Sequence, residues 1–106
     1  MPKYLIQANY VGDGVKGLLK EGGTGRRAAV EQLAASVGGS VEAIYYAFGD
    51  TDVFIILDLP DNASAAAVAL TAGAAGAVTV KTTVLMTPEE LDQATKKSPS
   101  YRPPGQ

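Results

Sequence analysis

The chain has 106 residues, 46% hydrophobic and 19% charged, a composition that fits one globular domain and argues against disorder. With 9 basic against 11 acidic residues, the net charge of −2 offers no field for holding nucleic acid by counterion release. Cysteine and histidine are both absent, which removes disulfides, thiolate chemistry, the commonest metal ligand and the usual general base near neutral pH.

The opening "MPKYLIQANY" has no charged segment leading into a long apolar one, so no secretory signal is expected. Tyr4, Ile6, Ala8 and Tyr10 alternate with Leu5, Gln7 and Asn9, which predicts a strand. "GDGVKGLLKEGG" reads as a turn followed by one or two helical turns over Val15–Lys20. Val30, Leu33, Ala34 and Val37 then recur at i, i+3, i+4 and i+7. They predict a helix with one buried stripe, Thr24 as its candidate N-cap and Gly38-Gly39 as its stop.

"SVEAIYYAF" and "VFIILDL" are rich in β-formers and flank Gly49-Asp50-Thr51-Asp52, so a β-hairpin is predicted. Pro60 ends the second strand, and Asp61 or Asn62 is placed to cap a helix with Ala65, Val68, Ala69 and Ala72 on one face. Val78, Val80, Thr82, Val84 and Met86 alternate with Thr79, Lys81, Thr83 and Leu85, a long strand. Thr87, Pro88 and Glu90 form a capping-box signature for a last helix, with Lys96-Lys97 suited to its C-terminal dipole. The longest apolar stretch, "AAAVALTAGAAGAV", is shorter than the ~20 residues of a bilayer span, so no membrane contact and a cytoplasmic location are expected. Residues 1–97 form the expected domain, and 98–106 a Pro-rich, extended tail.

The order βαββαβ plus a C-terminal helix predicts an α+β, ferredoxin-like sandwich. Its antiparallel sheet takes the order 4-1-3-2, with two helices on one face. The other face is expected to collect Leu5, Ile44, Tyr46, Phe48, Phe54, Ile56 and Leu85, too apolar for contact with water. A second copy packed sheet against sheet, giving a dimeric α/β barrel, is the expected cover. The alternative is the C-terminal helix folding back, although its apolar complement is mainly Leu91 and Ala94. Gln7, Asn9, Asp58 and Lys81 alternate with the apolar residues, and Asp58 and Lys81 are candidates to pair. With Tyr46, Phe54 and Ile56, these four are the candidate residues for a small organic ligand held between facing sheets.

The leading expectation is therefore a homo-oligomeric binding or accessory protein, more readily than an enzyme, with no cofactor and no metal site. A cofactor-free monooxygenase or isomerase would have to move protons with Asp58, Tyr46 or Lys81, and Asp58 would need a pKa raised by burial. A protein-interaction module using the "SYRPPGQ" tail is the third class. "GDGVKG", Gly12 to Gly17, spells G-x-G-x-x-G, but a helix stands where a dinucleotide fold needs its second parallel strand, so a flexible connection is expected. Asp50 and Asp52 are expected to be turn residues rather than cation ligands. Arg26-Arg27 is read as a solvated pair, with anion binding near the helix start as the alternative.

From Tyr4 to about Glu90 the chain resembles the GYD-domain family of small bacterial proteins. The resemblance rests on "GVKG" after the first strand, "RRAAVEQLAASVGG" with Arg27, Gly38 and Gly39, and "GDTD" for the family's Gly-x-Tyr-Asp. It continues through Pro60-Asp61 and "GAVTVKT" with Gly76, Val78 and Thr82. Thr51 stands where the family pattern has Tyr, and Ala77 where Asn is common. The resemblance implies a ferredoxin-like fold assembling as a dimeric α/β barrel, and it implies no particular activity.

Overall fold

A computed structural model describes residues 1–106. The elements run β1 (Lys3–Tyr10), α1 (Asp13–Ser36), β2 (Ser40–Tyr46), β3 (Val53–Asp58), α2 (Asn62–Ala74), β4 (Val78–Leu85) and α3 (Pro88–Thr95). One antiparallel sheet has the spatial order β2-β3-β1-β4, the expected 4-1-3-2. The protein is thus α+β with a ferredoxin-like topology.

The core forms where α1 and α2 press on one side of this sheet. Ten apolar residues are buried there, among them Tyr4, Ile6 and Ala8 of β1, Val53, Ile55 and Leu57 of β3, and Ala65 and Val68 of α2. Leu59, just past β3, is fully buried beside them. Alternation along β1 and β3 places these side chains together because successive residues point to opposite faces. The Tyr4 hydroxyl donates to Asn62 Oδ1 at 2.7 Å, which ties β1 to the first turn of α2. Asp61 is the α2 N-cap, its carboxylate accepting from the Ser64 backbone N–H at 2.8 Å.

The glycine-rich stretch before Arg26 separates two helical segments, as expected, but the first is longer than the one or two turns read over Val15–Lys20. α1 runs from Asp13 to Ser36 and is interrupted only at Gly22, whose φ of 75° and ψ of 173° bend it into two segments. Thr24 lies inside the second segment and caps nothing; Gly12, with φ 52°, stands at the N-cap. Gly14 is buried where α1 meets the chain leading into β4. A Cβ at Gly14 would stand 2.0 Å from the Ala77 carbonyl oxygen, so close packing explains a glycine of the G-x-G-x-x-G stretch.

β2 departs from strict alternation. A bulge between Val41 and Ala43 sets Val41 opposite Leu57 but Ala43 opposite Ile56, so Glu42 is an extra residue. Beyond it the parity is reversed. Ile44 pairs with Ile55 and Tyr46 with Val53, so both lie on the helix-covered side and not on the open face. Phe48 is fully exposed in the β2–β3 connection and belongs to neither face.

α3 opens with the expected capping box: Thr87 Oγ1 accepts from Glu90 N at 3.1 Å, and Glu90 Oε1 accepts from Thr87 N at 3.0 Å. Every residue of the helix is exposed, Leu91 included, so α3 does not fold back over the sheet. The radius of gyration, 16.9 Å, exceeds the ~13 Å of a compact chain of this length, as expected when a helix and tail stand off the body. Only 11 of 106 residues are buried, because one complete sheet face has no cover.

Candidate functional sites on the two sides of the sheet

The open face is ordered in rows across the strands. The central row, read from β2 to β4, is Ala43, Ile56, Leu5 and Thr83; the next is Tyr45, Phe54, Gln7 and Lys81. Tyr45 is 73% and Phe54 37% exposed. At one end lies an ion cluster in which Lys3 Nζ donates to Asp58 Oδ1 at 2.7 Å and also to Glu42 Oε1. The bond to Asp58, then that to Glu42, raises the Lys3 pKa above its usual value. At the other end Asn9 fastens the β2–β3 connection. Its Nδ2 donates to the Asp50 carbonyl at 2.8 Å, and its Oδ1 accepts from Asp52 N at 2.8 Å.

Six of the seven candidate ligand residues therefore share this face: Gln7, Asn9, Phe54, Ile56, Asp58 and Lys81. Tyr46 does not. Asp58 and Lys81 do not pair either, because Asp58 is opposite Lys3 and Lys81 opposite Gln7, about 13 Å apart along the strands. The three proton-transfer candidates, Asp58, Tyr46 and Lys81, are consequently not brought to one point.

Asp50 and Asp52 belong to a pinned connection. Asp52 Oδ2 accepts from Tyr10 N at 3.0 Å, and Ala47 N donates to the Asp52 carbonyl at 2.8 Å. Nowhere do three or more Asp or Glu side chains gather as cation ligands.

On the helix side, the core contains a cavity of about 70 Å³ between α1, α2 and the sheet. Thirteen residues line it; twelve are hydrophobic and the other is Arg26. Ala8 and Ala72 leave the space that larger side chains would fill. Tyr10, Arg26 and Val78 are shared with an adjoining cleft of about 250 Å³ bounded by Gly14, Leu18, Glu21 and Ala77, so the two spaces meet at these side chains.

Arg26 Nε is buried without any hydrogen-bond partner, while Nη1 reaches Glu21 Oε2 at 3.4 Å. Burial alone would lower the Arg26 pKa, but Tyr10 and Glu21 together keep it above the usual value, so the group stays cationic. Nearby, the Tyr46 hydroxyl donates to the Gly23 carbonyl at 3.2 Å. Burial first, then Tyr10, pushes the Tyr46 pKa up to about 12 against the opposing pull of Arg26 and Arg27. A phenol held that high keeps its proton at neutral pH and serves as a donor, not a base.

The GYD domain family matches residues 4–95. The chain belongs to the GYD-domain family. Neither a curated protein nor a solved structure matches it. In this GYD domain the Gly49–Asp52 landmark forms the β2–β3 connection, and Thr51, which replaces the pattern's Tyr, accepts from Gln7 Nε2 at 3.4 Å.

The sequence reading missed the cavity of this GYD domain and the place of Arg26 in it. The signal was present: Arg26 stands four residues before Val30 and seven before Leu33, on the same helical stripe. Arg27, by contrast, is exposed.

Proposed function

We propose that this GYD-domain protein is a homodimeric binding or accessory protein whose open sheet faces close on each other as a dimeric α/β barrel. The carrying observation is the arrangement of the uncovered face. Leu5, Ile56 and Phe54 are contiguous on the two central strands, with Tyr45 next to Phe54 on edge strand β2, while Lys3, Glu42 and Asp58 bound one end and Asn9 and Thr79 the other. An apolar centre with a polar margin is how protein interfaces are built.

The size also fits. Four strands of about eight residues span a projected area of about 500 Å². Side-chain relief brings this toward the ~800 Å² each partner contributes to a stable interface. No helix of the chain competes for the face, since α3 stands clear. A two-fold axis would set each apolar centre against its copy. Within such a dimer, Lys81, in the row of Phe54 and Gln7, is the polar group best placed to meet a small organic ligand between the sheets, because Asp58 is engaged by Lys3 and Asn9 and Gln7 by the loop.

Sedimentation equilibrium at micromolar concentration tests the assembly. The expected species has twice the 10.9 kDa mass of the chain, and Phe54→Lys should reduce it to a folded monomer with an unchanged far-UV circular dichroism spectrum. A wild-type protein that sediments as one chain would refute the dimer.

A further inference from the structure

We propose that the cavity beneath the two helices binds a small aliphatic carboxylate, with its apolar end inside and its carboxylate on Arg26. This site lies within one chain and on the opposite side of the sheet from the proposed dimer contact, so it stands apart from that reading.

Three features of the site converge on this ligand class. The cavity wall is apolar except for Arg26, so whatever enters must be apolar over most of its surface. Arg26 Nε is a buried donor with no acceptor, a feature that folded proteins rarely leave unsatisfied. Besides Tyr10, the partner of Arg26 is Glu21, reached by Nη1 at 3.4 Å, a long contact to a carboxylate that is nearly half exposed. An incoming carboxylate would accept from Nε and from the adjacent guanidinium nitrogen in the two-pronged geometry arginine favours, and Glu21 would turn out to solvent.

Size narrows the class further. At about 70 Å³ the cavity is roughly half of the 150 Å³ that admits benzene in an apolar protein interior. A branched chain of about three or four carbons fits that space, whereas an aromatic ring requires the helices to part. Entry runs through the adjoining cleft, where Tyr10, Arg26 and Val78 separate the two volumes.

The test is a methyl-detected NMR titration of the full chain with isovalerate and, in parallel, its neutral amide. Isovalerate should cause saturable shifts at Val30, Leu33 and Val78, and the amide should bind at least about tenfold more weakly. Arg26→Gln, which keeps a polar side chain but removes the charged fork, should remove that preference, and Ala72→Leu, which fills the cavity, should abolish binding of both compounds. Circular dichroism confirms that each variant is folded; should Arg26→Gln not fold, the acid-over-amide preference and Ala72→Leu decide. Three results would overturn the proposal: no saturable shift with isovalerate, equal binding of acid and amide, or shifts confined to Leu5, Ile56 and Leu85 on the open face.

Discussion

The hydroxyl of Tyr46 rests on the Gly23 carbonyl, and its ring lies against Gly23 so closely that a Cβ there would meet Cε2 at 3.2 Å. A phenol whose pKa rises on folding holds its proton more tightly in the native state than in the unfolded chain. Its contribution to stability is complete below pH 10 and is lost as pH climbs through about 12. Urea denaturation at pH 9, 10, 11 and 12 should therefore show a stability loss that is smaller in Tyr46→Phe than in the parent. Parallel curves for the two proteins would show that Tyr46 does not carry it. Gly14 supplies a steric counterpart. The methyl of Gly14→Ala would meet backbone at 2.0 Å, and backbone cannot rotate aside as a side chain can. A loss of about 1–3 kcal/mol or more is expected, read as a lower urea midpoint at an unchanged slope.

At the scale of elements, what the sequence discloses depends on how regular each element is. β1, β3 and β4 alternate without interruption, so side-chain parity alone places Gln7, Phe54, Asp58 and Lys81 on one face. β2 contains one extra residue at Glu42, and no residue type announces it. Parity carried across the bulge sends Ile44 and Tyr46 to the wrong side. α1 is legible for a different reason. The glycines before Arg26 signal a break, and the helix does break there, at Gly22, while Gly23, Thr24 and Gly25 are already helical, so Thr24 is no cap. That bend connects the helix N-terminal to Arg26 with the one that carries Val30 and Leu33 onto the cavity. Gly22 occupies a backbone region that side chains with a Cβ avoid. Gly22→Ala should accordingly cost about 1–3 kcal/mol even though open space surrounds the site, a combination that separates backbone strain from crowding. Thermal melts of Gly22→Ala beside Gly17→Ala, which has a helical backbone and equally open surroundings, make the comparison; equal melting temperatures would remove the strain argument.

At the scale of the whole molecule, the fold divides into a body that ends with β4 and a projecting arm made of α3 and the tail. The capping box lets α3 start at a defined point without support from the body, since its two reciprocal bonds satisfy backbone and side chain locally. Exposure of every α3 residue means that the arm adds nothing to the core of its own chain. A chain ending at Met86 should therefore match the full-length protein within about 0.5 kcal/mol, the range of surface changes that touch no buried feature. If the dimer forms through the sheets alone, both proteins should also melt at temperatures that rise with protein concentration, and by the same increment per decade, because only the folded chain associates. A shortened chain that loses this dependence while keeping its circular dichroism spectrum would place α3 in the contact, with Leu91 reaching across to the second copy. The same experiment on Phe54→Lys fixes the reference, since a monomer melts at one temperature whatever its concentration.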